Sequence, residues 1–123
     1  MIMVGDKGEG EAQDFLARRG YAILKRKYRV KGGEIDIIAR VKDTLVFVEV
    51  KARSSSRFGY PEEAVGGAKK RRIARAARAY LRAYPQVPQM YIRFDIIALS
   101  RAKGADANEI RHIQDVDIGE ELL

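Results

Sequence analysis

The sequence predicts an α/β fold in which a mixed central β-sheet is flanked by helices. Two neighbouring segments, GGEIDII at 32–38 and LVFVEVKAR at 45–53, place charged residues at every second position of apolar runs, as in strands. A helix-period run at 62–83 and a third apolar run, YIRFDIIAL at 91–99, follow. The first two strands are close enough for an antiparallel hairpin, whereas strand, helix and strand favour a right-handed parallel crossover. A sheet with both kinds of pairing is therefore expected.

The predicted elements run in the order α-β-β-β-α-β-β within a single domain over 1–123. A first helix at 6–19 has Ala12, Phe15 and Leu16 at helical spacing and stops near Gly20. The rest of the chain is predicted as strands at 21–30, 34–40 and 45–51, a polar loop at 52–61, the helix at 62–83, and strands at 91–99 and 109–114. A chain of 123 residues is long enough to bury a core without disulfide or metal support.

The hairpin places charged side chains opposite one another. If residues 42–43 form a two-residue turn, residues that are equally far from the turn on the two strands lie opposite each other. Asp36 then faces Glu49, and Glu34 faces Lys51, with Cβ atoms roughly 4.5–5.5 Å apart. A turn one residue later would offset these pairs within the same small patch. Carboxylates in strands this apolar need a compensating charge, and a divalent metal ion is the leading candidate.

The amino-acid composition excludes several classes of protein. The chain has no cysteine, which excludes a disulfide framework and a thiolate metal site. No segment approaches the roughly 20 consecutive apolar residues of a membrane span, and the first residues lack the apolar core of a signal peptide. We therefore expect a cytoplasmic protein that does not associate with a membrane.

The net charge of +7 is concentrated in one part of the chain. Residues 64–94 contain no acidic residue, and their basic residues are Lys69, Lys70, Arg71, Arg72, Arg75, Arg78, Arg82 and Arg93. This asymmetry favours a polyanion, usually nucleic acid, as the partner. Four arginines form one helical stripe that either contacts phosphate or is a solvated face: Arg71, Arg75, Arg78 and Arg82. Lys69, one turn earlier, and Arg53 and Arg57, after the second hairpin strand, are further candidates for phosphate contact.

The segment from Asp36 to Lys51 is suited to metal-dependent hydrolysis. Asp36 is followed by a twelve-residue gap and then by Glu49-Val50-Lys51. Two carboxylates supply hard oxygen ligands for Mg²⁺ or Mn²⁺, and the Val50 carbonyl could add a third. Such an ion makes bound water a nucleophile near neutral pH, and Lys51 could orient that water or offset phosphate charge.

These residues resemble the PD-(D/E)XK nuclease superfamily and, more narrowly, the YraN-like family of predicted endonucleases, which is similar to archaeal Holliday-junction resolvases. The segments that carry the resemblance are GEGEAQDFLARRGY at 8–21, GGEIDIIAR at 32–40, VFVEVKAR at 46–53, FGYPEEAV at 58–65 and RFDIIAL at 93–99. The resemblance implies a restriction-endonuclease-like core, with a mixed sheet and flanking helices, and divalent-metal-dependent phosphodiester hydrolysis. By position, Glu9 matches the family's helix glutamate, Asp36 its acidic ligand, and Glu49 with Lys51 its E-x-K. Two positions depart from the pattern: Ile35 stands where the superfamily has proline, and Lys27 where the family often has asparagine.

Three functions remain open on the sequence. The first is an Mg²⁺- or Mn²⁺-dependent endonuclease acting on DNA, with branched or structured DNA as one substrate class. The second is a non-catalytic nucleic-acid-binding module on a nuclease fold, and the third is a structural protein whose charged hairpin forms ion pairs. Glu34 is either a catalytic helper or a salt-bridge partner of Lys51 or Arg53, and Glu9 is either a site residue or a surface residue. A homodimer would suit paired cutting of two strands.

Overall fold

A computed structural model of the chain describes residues 4–53, 66–86, 88–101, 104 and 106–119. The elements are α1 (Val4–Arg18), β1 (Ala22–Val30), β2 (Gly33–Val41), β3 (Thr44–Arg53), α2 (Gly67–Ala83), β4 (Tyr91–Ser100) and β5 (Glu109–Ile113). Their order is the predicted one, and their ends differ from the predicted ends by a few residues. Residues 62–65, predicted as the start of the long helix, lie outside the described part. Neither helix is long and apolar enough to cross a membrane within the part of the chain that the structure describes.

The five strands form one mixed sheet in the order β1-β2-β3-β4-β5. β1 pairs with β2, β2 with β3, and β4 with β5 in antiparallel orientation. β3 and β4 are parallel and in register from Thr44–Tyr91 to Arg53–Ser100, with α2 as the crossover between them. The predicted mixed α/β sheet is confirmed.

The β2–β3 hairpin has the predicted two-residue turn, and its register is correct near the turn. Val41 pairs with Thr44, and the pairing continues as far as Ile37 with Val48. The expected pairs of Asp36 with Glu49 and of Glu34 with Lys51 are wrong as ladder pairs, since the described register ends before them. The physical reason is the Asp36 side chain, which takes a hydrogen-bonding position on β3 that the β2 backbone would otherwise fill.

The α2 core is the apolar layer between α2 and one face of the sheet. Its buried residues are Ile35, Ile38, Leu45, Phe47, Ile73, Ala74, Ala76, Ala77, Tyr80, Ile96 and Ala98. Gly33 brings the helix close to β2, because a Cβ there would lie 2.6 Å from the carbonyl oxygen of Arg72 and 2.8 Å from the amide nitrogen of Ala76. Since real Cβ atoms do not come this close to backbone, the missing side chain sets the distance between α2 and the site end of β2.

The α1 core lies on the opposite face of the sheet. Its buried residues are Ala12, Phe15, Leu16, Ile37, Ala39, Val46, Val48, Ile97 and Leu99. Gly8 is buried close to Val50, Ala52 and Leu99, which places the first described turns of α1 beside the end of β3. The two cores fix one helix on each side of the β3 carboxyl end.

Asp95 is a buried carboxylate that links β4 to its neighbours. It accepts hydrogen bonds from Arg93 Nε at 2.9 Å and from the Asp115 amide at 3.0 Å, and its Oδ2 lies 2.7 Å from His112 Nε2. Arg93 Nη2 also donates to the Tyr21 hydroxyl at 2.6 Å. Although burial alone would raise the pKa of Asp95, these bonds hold it below its usual value of 3.8. The network accounts for the only histidine of the chain as a structural partner of Asp95.

Candidate functional site

The predicted catalytic residues meet in an open cleft at the end of β3. The cleft has a volume of about 260 Å³ and is lined by Glu9, Asp36, Glu49, Val50, Lys51, Ala52 and Lys69. It therefore combines one residue of α1, one of β2, four consecutive residues of β3 and one of α2. Three carboxylates and two lysines lie along its wall.

Asp36 lies where the hydrogen-bonded pairing of β2 with β3 ends. Its Oδ2 accepts a hydrogen bond from the Val50 amide at 2.8 Å. Because the N–H of a strand residue points along the plane of the sheet, the Asp36 carboxylate lies between the two strands and not above either face. It stands where a backbone carbonyl of β2 would be in a continuous ladder, and this fixes it at the mouth of the cleft.

Glu49 is buried between two lysines. Its Oε1 lies 2.9 Å from Lys69 Nζ and 3.6 Å from Lys51 Nζ, and its side chain is 6% exposed. Its other oxygen, Oε2, is fully buried and has no hydrogen-bond partner among the described residues. Burial, followed by the negative charge of Asp36, raises the pKa of Glu49 to about 7, although Lys69 and Lys51 lower it. The carboxylate therefore has one neutralised oxygen and one that lacks a partner.

The pKa of Lys69 is also shifted by the burial and the charges of the cleft. Burial lowers its pKa, but the hydrogen bond to Glu49 and the charges of Glu49, Asp36 and Glu34 outweigh that effect and raise it. Lys69 is therefore charged over the pH range in which Glu49 ionises. It neutralises Glu49 more closely than Lys51 does.

Glu9 brings a third carboxylate from α1 to the cleft. Its Oε1 is buried, has no hydrogen-bond partner among the described residues, and lies 3.7 Å from Arg26 Nη2, beyond hydrogen-bond length. Burial and then the charge of Asp36 raise its pKa, while Arg26 and Arg29 lower it. Within the described part of the chain, two carboxylates of one cleft thus each have a buried oxygen without a partner, which is costly unless a cation or a proton compensates it.

Glu34 lies at the rim and makes ion pairs that the sequence did not predict. Its carboxylate is 3.5 Å from Arg29 Nε, 3.8 Å from Lys69 Nζ and 3.8 Å from Arg72 Nη2. Of the two predicted salt-bridge partners, Lys51 is not one of these cations, because the end of the β2–β3 pairing leaves Glu34 closer to β1 and α2. The side chain of the other, Arg53, lies outside the described residues. Glu34 joins three elements at the edge of the cleft.

The cleft fits a divalent cation through oxygen donors. Asp36 and Glu49 supply the two carboxylates, and Val50, predicted to add its carbonyl, lines the same cleft. Among residues of known placement, no three His, Cys, Asp or Glu side chains form a ready-made metal cluster. Two carboxylates with one backbone oxygen suit Mg²⁺ or Mn²⁺, since Mg²⁺ usually keeps several waters. Oε2 of Glu49, which has no partner among the described residues, is the oxygen of this set whose burial is uncompensated.

The arginine stripe of α2 lies outside the cleft. Arg71, Arg75 and Arg82 are exposed and Arg78 is half-buried, on the helix face opposite the α2 core. The stripe extends about 16 Å along the helix from Arg71 to Arg82. Arg53 ends β3, but its side chain and the whole of residue 57 are outside the described residues, so both stay predictions.

Lys69, predicted as a candidate for phosphate contact one turn before the arginine stripe, lies in the cleft and contacts Glu49. A signal was present, because Lys69 precedes Ile73 by four positions and Ala76 by seven, and so lies on the apolar side of the helix. Gly33 was also missed, since a close approach of helix to strand leaves no local pattern.

The architecture and the cleft define the class of protein: an α/β protein with a nuclease-like core and an acidic cleft at the end of its central hairpin. The chain belongs to Uncharacterised protein family UPF0102, whose profile matches residues 8–99. The predicted YraN-like membership is thereby confirmed.

Two relatives illustrate the extent of the similarity. A UPF0102 protein of Chlorobium phaeobacteroides is 52% identical over 96 residues, which cover 78% of this chain and 75% of the relative. A UPF0102 protein of Syntrophotalea carbinolica is 46% identical over 111 residues, or 90% of this chain and 88% of the relative. Neither name states an activity.

Proposed function

We propose that this protein is a divalent-metal-dependent endonuclease that hydrolyses phosphodiester bonds in DNA. The observation that carries the proposal is the buried Oε2 of Glu49, which has no partner among the described residues, in a carboxylate that lines an open cleft with Asp36 and two lysines. A structural ion pair would satisfy both oxygens of a buried carboxylate, because an unmet one costs stability. A cation bound in the cleft would compensate the charge of this carboxylate.

Each residue of the cleft has a separate role in the proposed hydrolysis. Asp36 and Glu49, with the Val50 carbonyl, would hold Mg²⁺ or Mn²⁺, which supplies a water of lowered pKa and stabilises charge on the phosphate. Lys51 lies two residues after Glu49 on the same face of β3 and would orient the attacking water or offset phosphate charge. Lys69, whose Nζ lies 2.9 Å from Oε1 of Glu49, fixes the orientation of that carboxylate. Glu9 is a second water-holding carboxylate.

A polyanionic substrate fits the surroundings of the cleft. Among the described side chains, five cations lie within 4 Å of a cleft or rim carboxylate: Arg26, Arg29, Lys51, Lys69 and Arg72. The exposed arginines of α2 continue this positive surface away from the cleft. Phosphate groups could therefore be held on both sides of the bond that is cut, which favours nucleic acid over a small phosphate ester.

The test is cleavage of labelled single-stranded, duplex, flap and four-way-junction DNA with Mg²⁺, Mn²⁺ or EDTA. Wild type should cut only with metal, whereas Asp36→Asn, which weakens the metal site, and Lys69→Ala, which frees Glu49, should each lose at least about 100-fold in rate, as the loss of an electrostatic contribution of this kind does. Arg40→Ala is the matched control, since Arg40 is an exposed cation near the turn of the same hairpin. Cutting that survives in Asp36→Asn would identify a contaminating nuclease and refute the assignment.

A second candidate is a non-catalytic nucleic-acid-binding module on the same fold. It is favoured by the ion pair of Lys69 with Glu49 and by the lack of a ready-made three-ligand cluster among the described side chains. It predicts DNA binding in EDTA without cutting in any condition. Neutralising Arg71 and Arg75 together should then lower the slope of log K against log salt by about 1–2, while Arg40→Ala should lower it by less.

A further inference from the structure

The alternation of side chains along β2 breaks at Asp36. In a regular strand Ile35 and Ile37 would lie on the same face of the sheet. Ile35 instead packs in the α2 core and Ile37 in the α1 core, and beyond them Ile38 returns to the α2 core and Ala39 to the α1 core. One residue, Asp36, is therefore on neither face.

β1 changes faces at the position opposite Asp36. Tyr28 pairs with Ile35 and packs against the α2 core, whereas Arg26 pairs with Ile37 and reaches Glu9 on the α1 side. The residue between them, Lys27, has a φ of 53°. A left-handed conformation disfavours any side chain with a Cβ, and here it turns the strand so that its neighbours point to opposite faces. Strain of this kind persists where the surrounding structure requires it, and it clusters at functional sites.

We infer that Lys27 is a positioning residue for Asp36, an inference that rests on the function proposed above. The left-handed residue lets both strands skip one alternation, so that the Asp36 carboxylate lies in the plane of the sheet and accepts the hydrogen bond from Val50. Without this turn, the pattern set by Ile37 and Ile38 would place Asp36 on the α2 face and Ile35 on the α1 face. The Asp36–Val50 bond would then be lost.

The left-handed conformation of Lys27 also sets the position of a basic residue, Arg26, beside a cleft carboxylate. Lys25 lies over the Tyr84 ring on the α2 side, with its Nζ 5.1 Å from the centroid, while Arg26 lies on the α1 side beside Glu9. The left-handed conformation of Lys27 separates Arg26 from the α2-facing Tyr28. It thus sets the places of one acidic and one basic residue of the site.

The experiment measures hydrogen exchange of the Val50 amide in the full-length protein without metal or DNA. Lys27→Gly and Lys27→Ala are a matched pair, since both remove the lysine side chain and only glycine adopts positive φ freely. Relative to interior amides of β4, Val50 should be protected about 5-fold to 30-fold less in Lys27→Ala than in Lys27→Gly, the range that corresponds to the left-handed penalty. Lys27→Val should lower the protection further, and Asp36→Asn gives the reference for a weakened bond.

Equal relative protection of Val50 in the glycine and alanine variants would overturn the inference. If the valine variant does not fold, the glycine–alanine pair decides alone. As a second readout, Mn²⁺ should raise the Tm of Lys27→Gly as much as that of wild type, and that of Lys27→Ala less. A wild-type protein whose Tm does not respond to Mn²⁺ would count against the proposed metal chemistry, and the exchange series would still decide whether Lys27 positions Asp36.

Discussion

Replacing Glu49 with glutamine should stabilise the protein at high pH and leave its stability unchanged at low pH. Burial and the charge of Asp36 raise the pKa of Glu49 from 4.5 to about 7 in the folded protein. Below pH 4.5 the carboxyl is protonated in both the folded and the unfolded chain, so it costs nothing. Between pH 4.5 and about 7, Glu49 has lost its proton in the unfolded chain but keeps it in the folded chain. The free energy of unfolding therefore falls as the pH rises through this range.

The size of the effect follows from the two pKa values. A tenfold difference in proton affinity corresponds to about 1.4 kcal/mol, so the penalty approaches about 3 kcal/mol once Glu49 is ionised. Glutamine has nearly the same shape and no charge, and therefore removes the penalty. Urea unfolding followed by far-UV circular dichroism in EDTA should show similar free energies for the variant and wild type at about pH 4, and a variant more stable by about 3 kcal/mol at about pH 8.

Glu109→Gln is the control, because it removes an exposed carboxylate from β5, outside the cleft. It should change the free energy of unfolding by less than about 0.5 kcal/mol at both pH values. An effect of Glu49→Gln that is the same at both pH values would show that Glu49 ionises in the folded protein without cost. The argument that this carboxylate needs a compensating cation would then fail.

Two further predictions concern the packing that supports the site. Gly33→Ala should destabilise the protein by about 1–3 kcal/mol because its Cβ would overlap the α2 backbone, whereas Gly10→Ala, with open space at its Cβ, should stabilise α1 by about 0.5–1 kcal/mol in the same urea assay. Similar effects of the two alanines would contradict the close approach of α2 to β2. Asp95→Asn should cost about 3 kcal/mol near neutral pH, since it leaves Arg93 without its carboxylate. Because the pKa of Asp95 lies below 3.8, its contribution is present above that pH and lost below it, so the variant should lose less stability than wild type on acidification.

The sequence was sufficient for the fold because its strongest signals are local. The apolar periodicity gave the order of the elements, and the short polar segment between β2 and β3 gave the two-residue turn and the register from Val41–Thr44 to Ile37–Val48. The carboxylates of the cleft, Asp36 and Glu49, were found because charges in apolar strands are unusual.

The details of the site depend on contacts between distant segments, and these have weaker signals. The change of faces at Asp36 depends on the conformation of Lys27 in another strand. Asparagine, which the resemblance described above implies at this position, tolerates positive φ better than lysine does. Lys69 was predicted only as a candidate for phosphate contact, because its positive charge was given more weight than its position beside Ile73 on the apolar side of α2.

The irregular shape of β1 also affects whether two copies of this protein can associate through the edges of their sheets. β1 is an outer strand of the sheet, and the unpaired backbone groups of such a strand can capture a further strand. Here the register shifts between Ile23 and Lys25, the backbone turns left-handed at Lys27, and four consecutive residues, 24–27, are exposed, three of them basic. A second chain would have to match a bent strand against like charges. β1 is therefore a poor template for sheet extension. The backbone geometry that positions Asp36 also disfavours pairing of this edge with a strand of another molecule.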